Sequence, residues 1–494
     1  MTAEMTPGQE RPPRAREMGM GEGFPLGWSR RLSVAIPLVV LFLTFCCWFG
    51  ALLKSSFLAD DFSFLVTYSN LSHFLTLKYD DGQITINVFW TIGWIAFGTG
   101  SAIPYLLLNS SVFALGLFLW LRAGSARLWD GIQGWWVASL SLAGATCMLM
   151  MLWSANSVHT MALLALGLAL VIHERSLKSQ RPNKLLLWSL LSALSFTLVV
   201  ASDLLYVGIL PLCVFCAAEQ VSALRSLGSR RHFEPLAIWT VLLPLLYFLL
   251  IAYPERIAVG VYAGSSISYF AKDLSFYVAQ MAPTGSIKAA YLLILLAAGI
   301  GSIWAVRYRR FFPIACCLSA ALMAGIILSE RQQLFTNYTF IPFLLILSAC
   351  IAGWTTVFGQ HDFTLVRRHS YVLMLAATLV LAVLFYSGGG IRQYFDATPY
   401  GTERGLVELR DSVASLSPGG EPICVVEKMA STDEYEFNMW IANGDAFLVQ
   451  PVNASYAAIV GEPADCPAGT LTTIDVGVGR NGDFVVTGYE VDAT

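Results

Sequence analysis

Two pairs of adjacent carboxylates, Asp60-Asp61 and Asp80-Asp81, stand out in a chain of 494 residues of which only 13% are charged. Neighbouring carboxylates close to low-dielectric lipid repel each other, which raises the proton affinity of one and poises it as a general base toward a hydroxyl. The competing reading is that they are solvated loop acids closing a helix. The four oxygen-rich side chains can also hold a divalent cation, although no spacing in the chain demands one. Two further groups could do chemistry. Asp203, in Ala201-Ser202-Asp203-Leu204-Leu205-Tyr206, is an acid between two apolar runs, where it either lines a cavity or sits on a wetted turn. His159 follows Asn156-Ser157-Val158 and either contacts substrate or is a satisfied structural histidine.

These residues need a scaffold, and composition says which kind. Hydrophobic residues make up 56% of the chain, and its charge is about half that of an ordinary soluble domain. This is a multispanning helical membrane protein. A net charge of -3 and a pI near 6.1 leave no basic surface for nucleic acid. Apolar runs long enough for a hydrocarbon core of about 30 Å predict spans near residues 32–53, 102–121, 132–152, 158–173, 185–201 and 204–218. Others follow near 236–253, 289–306, 311–328, 340–358 and 370–388, so eleven are expected.

Basic residues orient them. With the N-terminus inside, the cytoplasmic segments hold most of the Lys and Arg, including Arg30, Arg31, Arg122, Arg175, Arg225, Arg307 and Arg367. An odd span count then exports the C-terminus. The uncharged stretch from Gly82 to Leu121 could contain a second crossing at Ile84 to Phe97, but that would turn every later basic loop outward. It is therefore read as a re-entrant or interfacial piece of a long first outer loop, residues 54–101. Earlier in this loop Phe62, Leu65, Leu71, Phe74 and Leu75 give a helix one apolar face that lies flat on the bilayer.

Residues 1–30, with Pro12, Pro13, Pro25 and mixed charges, read as a disordered cytoplasmic tail, and the apolar run after Arg31 as a retained anchor rather than a cleaved signal. The membrane domain spans 31–390. Beyond Gly388-Gly389-Gly390 the composition becomes mixed, and residues 391–494 form a small extracytoplasmic α/β domain. A helix is expected from Glu403 to Leu416, with strands at Pro422–Glu427, Ala446–Val449, Tyr456–Val460 and Phe484–Tyr489. Eight of ten cysteines sit in apolar spans, including Cys213-x-x-Cys216, and read as packing. Cys424 and Cys466 are in the tail, where an oxidising compartment would let them pair. Asn70-Leu-Ser and Asn453-Ala-Ser match the glycosylation pattern, a match common by chance.

An apolar first helix, then Ala59-Asp60-Asp61-Phe62, a long outer loop with an interfacial helix and Pro104-Tyr105-Leu106-Leu107-Leu108-Asn109 together resemble the GT-C superfamily of membrane glycosyltransferases. That superfamily includes the protein O-mannosyltransferases and the aminoarabinose transferases of lipid A. The resemblance covers residues 30–390. It implies transfer of a sugar from a polyprenyl-phosphate donor, at the outer face, to a glycan, lipid or protein acceptor. An Asp of the first outer loop would be the base, a role falling on Asp60 with Asp61 beside it. The segment from Ser329 to Tyr338 resembles the superfamily's late Arg and Tyr loop. Arg331 there would hold two phosphate oxygens, unless it is an interfacial anchor beside Glu330. Arg256 and Lys272 are further candidates for donor phosphate, while Asp80, Asp81, His159, Asp203 and Tyr338 are candidates to line the cavity. Some relatives need a metal and others do not. A transporter or flippase of lipid-linked saccharides is the alternative, expected to show internal repeats and charged or broken helices at mid-membrane depth. A non-catalytic envelope scaffold is a third.

Overall fold

The structure, a computed structural model, describes residues 84–97, 103–125, 157–179, 181–226, 237–254, 285–330, 336–360, 423–427, 456–460, 466, 472–478 and 484–491. The expected spans at 32–53, 132–152 and 370–388, the helices at 62–75 and 403–416 and the strand at 446–449 lie outside them. The other eight expected spans are helical.

Helix α1 is Ile84–Phe97, α2 Ile103–Ser125, α3 Ser157–Leu177 and α4 Pro182–Val200. A 3-10 helix, Leu204–Ile209, leads into α5, Leu210–Ser226. Then come α6, Trp239–Tyr247, α7, Gly285–Arg307, and α8, Phe312–Glu330. A second 3-10 helix, Thr336–Thr339, enters α9, Phe340–Gln360. Among the described residues four segments, Ile103–Gly124, Ser157–Leu177, Pro182–Val200 and Leu204–Ser226, are long and apolar enough to cross a membrane. The chain is a multi-pass membrane protein.

In lipid, each buried polar group must find its partner inside the protein. Hydroxyls do so by bonding back one turn, as Ser189 donates to the Leu185 carbonyl at 2.9 Å and Ser348 to that of Leu344 at 2.7 Å. Others tie helices together: Ser192 donates to the Ala169 carbonyl of α3 at 3.0 Å, and the Trp120 indole to Ser348 of α9 at 3.0 Å. Pro244 interrupts α6, which widens four residues later into a π-helical turn, Phe248–Ala252.

Close approach replaces hydrophobic driving force where the solvent is lipid. A Cβ on Gly116 of α2 would stand 2.7 Å from the backbone nitrogen of Leu164, and one on Gly167 of α3 would stand 2.7 Å from the Gly116 carbonyl oxygen. Only glycines allow this crossing. It also fixes direction, because Asn109 bonds Thr160 while Gly116 meets Leu164 and Gly167 meets Trp120, so α2 and α3 run parallel. Parallel neighbours need a connection that recrosses the bundle, and the span expected at 132–152 falls between them, outside the described residues.

Side-chain contacts order the other helices in the same way. Arg175 lies 5.7 Å over the Trp188 ring, making α3 and α4 an antiparallel hairpin. His159 meets Tyr206 and His173 meets Glu219, so α5 runs with α3; Phe215 and Trp120 both pack on Phe312, where α8 begins. Arg122, Arg175, Lys178, Arg181, Lys184, Arg225, Arg307, Arg309 and Arg310 therefore gather at one end of the bundle, and Lys288 lies toward the other. Arg309 closes α7 with φ 58°, the left-handed cap in which the Arg310 N–H donates to the Ala305 carbonyl at 3.0 Å.

The C-terminal residues form a four-stranded sheet of order β2-β1-β3-β4, with β1 Ile423–Glu427, β2 Tyr456–Val460, β3 Thr472–Val478 and β4 Phe484–Val491. β1 pairs parallel with β2 and β3, and β3 antiparallel with β4. Cys424 of β1 is buried and disulfide-bonded to Cys466, with Cα atoms 5.9 Å apart.

Candidate functional site

Where α4 ends, its ladder closes through Ala201, whose N–H donates to the Thr197 carbonyl at 2.8 Å, and Ser202, which donates to that of Val199 at 3.2 Å. Asp203 then adopts an extended backbone and its carboxylate accepts the Leu205 N–H at 3.1 Å, capping the 3-10 helix. The Asp203 carbonyl accepts from the Tyr206 N–H at 3.0 Å, which sets Tyr206 on the inner side of that turn. At 4% exposure Asp203 is no wetted turn residue.

Tyr206 meets the start of α3. Its hydroxyl and His159 Nδ1 are 2.7 Å apart, and the shared proton sits on one or the other according to the imidazole tautomer. Both residues are 1% exposed. Tyr338, from the 3-10 helix preceding α9, sets its ring 4.7 Å from the imidazole in a T-shaped contact. Next along α3, the Thr160 hydroxyl donates to Asn109 Oδ1 at 2.6 Å. Four separate segments thus bring imidazole, phenol, amide and hydroxyl groups together at the end of the bundle away from the basic residues. Such a cluster can orient and hydrogen-bond a polar substrate in a low-dielectric setting, where each bond is stronger than in water.

Helix α1 completes this end, packing on α2 and α3. Trp90 stacks on Tyr105 with centroids 5.1 Å apart, and the missing side chain of Gly93 makes room for the Tyr105 ring. At 14 residues α1 is about 21 Å long, short of a hydrocarbon core of about 30 Å. Its polar residues Thr85, Asn87 and Thr91 are buried and its apolar Ile92, Ile95 and Phe97 are exposed. The apolar Ile86, Phe89 and Trp90 are buried beside the polar residues.

Of the residues expected to form the site, the structure brings His159 and Tyr338 into contact and places Asp203 three residues before Tyr206. Asp60, Asp61, Asp80, Asp81, Arg256, Lys272 and Arg331 lie outside the described residues. Tyr206 and Thr160 were not anticipated. Tyr206 carried a faint signal as the aromatic one turn beyond an acid at a helix break. Thr160 had none beyond its place next to His159.

No family model and no curated protein matches this chain. Its fold is nevertheless similar to that of a solved structure. The crystal structure of ArnT from Cupriavidus metallidurans bound to undecaprenyl phosphate matches over 92% of this chain and 93% of its own, at 15% identity and a TM-score of 0.50. The apo form of the same ArnT matches over the same shares at 14% identity and a TM-score of 0.47.

Proposed function

We propose that this protein is a membrane glycosyltransferase that moves a sugar from a polyprenyl-phosphate carrier to a cell-envelope acceptor at the outer face of the membrane. The observation that carries the reading is the likeness, across 92% of the chain, to ArnT holding undecaprenyl phosphate. ArnT is an aminoarabinose transferase, and the lipid it holds is a polyprenyl phosphate. The segregation of basic residues supports the orientation, since the end bearing Arg122, Arg175, Arg225 and Arg307 would stay in the cytoplasm. The His159, Tyr206 and Tyr338 cluster would then face outward. An extracytoplasmic C-terminal domain agrees with the Cys424–Cys466 disulfide, since such bonds persist in oxidising compartments.

In this mechanism Asp60 takes the proton of the acceptor hydroxyl, with Asp61 beside it in support. The freed oxygen forms its bond to the anomeric carbon as the bond from that carbon to the carrier phosphate oxygen breaks. The electron pair leaves on the phosphate, toward Arg331, with Arg256 and Lys272 as further cationic partners. One displacement inverts the anomeric configuration. The test is transfer of radiolabelled sugar from a polyprenyl-phosphate donor by purified protein, compared with Asp60→Asn. Loss of a general base is expected to lower transfer by about 100-fold or more. Equal transfer by both proteins removes Asp60 from the mechanism.

A further inference from the structure

Most buried polar groups in the described bundle are accounted for. The exceptions gather on α1 and at the start of α3. Asn87 is 1% exposed, yet neither its Nδ2 nor its Oδ1 has a hydrogen-bond partner. One turn along the same face, the Thr91 hydroxyl is buried and equally unpaired, and so is that of Ser157, the first residue of α3. An unmet carboxamide is among the costlier things to bury, and persists where something supplies the missing bonds.

The chemistry of the missing group follows from the donors and acceptors left open. A carboxamide offers two N–H donors and an acceptor oxygen, and each hydroxyl offers one of either kind. A phosphate anion only accepts, so it would leave the Asn87 oxygen unmet. An isoprenoid chain can do neither. A sugar hydroxyl both donates and accepts, and a ring carrying several of them matches residues spaced one helical turn apart. We propose that Asn87 and Thr91 of α1, with Ser157 of α3, bind hydroxyl groups of the glycosyl unit carried by the lipid, making α1 the sugar-recognising wall of the site. This inference rests on the transferase reading and specifies the part of the donor that α1 contacts.

The test uses the full-length protein in detergent and native mass spectrometry. The probes are undecaprenyl phosphate and the same lipid bearing mannose, glucose or aminoarabinose. Wild type is expected to hold at least one sugar-bearing lipid about tenfold more tightly than the bare lipid, because a site built for hydroxyls discriminates against their absence. Asn87→Leu and Thr91→Val should each shrink that preference and leave bare-lipid binding unchanged. Asn87→Leu should also raise the unfolding temperature, since an apolar group of similar volume replaces an unmet amide. Three outcomes would overturn the inference: a preference that survives both substitutions, a fall in bare-lipid binding as large as that for the sugar-bearing lipid, or a lowered unfolding temperature for Asn87→Leu. If wild type transfers sugar while the variants keep the preference, this inference alone falls. If wild type neither transfers nor discriminates, the transferase reading falls with it.

Discussion

Nδ1 of His159 and the hydroxyl of Tyr206, 47 residues apart in sequence, lie 2.7 Å from each other and join the start of α3 to the turn that follows α4. Tyr206→Phe keeps the ring and removes the bond, so it should lower stability by about 1–3 kcal/mol. The imidazole then loses its bond to Tyr206 and keeps its edge contact with Tyr338. A displacement of about 1 Å in a catalytic site costs on the order of 100-fold, so sugar transfer should fall far more than the stability loss explains. Full transfer activity in a folded Tyr206→Phe protein would show that the pair is structural only.

Gly116 and Gly299 are both helix glycines, yet their surroundings differ. A Cβ at Gly116 meets backbone at 2.7 Å, whereas one at Gly299 meets nothing within 4 Å. Gly116→Ala should therefore cost about 1–3 kcal/mol by forcing α2 from α3, while Gly299→Ala should gain up to about 1 kcal/mol of helix propensity. Thermal unfolding in detergent checks the order of the two, and a reversed order contradicts the packing described for α2 and α3.

Gln220 bridges three helices toward the basic end of the bundle. Its amide nitrogen lies 3.2 Å from His173 Nδ1 and its carbonyl accepts from Thr240 at 2.9 Å, while His173 Nε2 lies 2.9 Å from Glu219. Gln220→Leu removes two buried bonds and should cost about 1–3 kcal/mol for each group left unmet. Adding Thr240→Val should recover part of that loss. If the double variant is less stable than the single one, Thr240 has another role.

The Cys424–Cys466 bond closes a loop of 42 residues around the parallel strands, worth about 4 kcal/mol in the chain-entropy view. Reduction, or Cys466→Ser, should make the C-terminal sheet markedly more sensitive to limited proteolysis while the helices stay protected. Unchanged sensitivity would mean that the sheet holds without its staple.

Hydropathy made the bundle legible wherever a helix is apolar throughout, and truncated it where buried polar residues interrupt the pattern. The span expected at 158–173 continues to Leu177 and the one at 204–218 continues to Ser226. The second extension carries Glu219 and Gln220, which pair with His173 at the last position of the first expected span. A reading that stops at the first polar residue ends where that network begins. Strand β3 was missed for a related reason, since Asp475 and Gly477 break its apolar run and only pairing with β1 and β4 completes it. Cys424 and Cys466 were legible because they are the cysteines outside the apolar spans.

At the candidate site, His159 and Asp203 were legible as polar residues at span ends, and Tyr338 only through the resemblance of its segment to a late Arg and Tyr loop. Their partners were not, because contacts between α3 and the turn after α4 depend on helix direction, which a single sequence does not encode. The sequence reads helix α1 as a re-entrant or interfacial piece, and its buried Asn87 and Thr91 leave no periodic trace beside so many apolar neighbours.

The most direct test of the central claim is transfer of labelled sugar from an undecaprenyl-phosphate donor by the protein reconstituted in sealed vesicles of known sidedness. Product should form when donor and acceptor are supplied at the face bearing the His159 and Tyr206 cluster, opposite Arg122, Arg175 and Arg307. Product formed at the Arg-bearing face, or no product from any glycosylated carrier, would contradict the account.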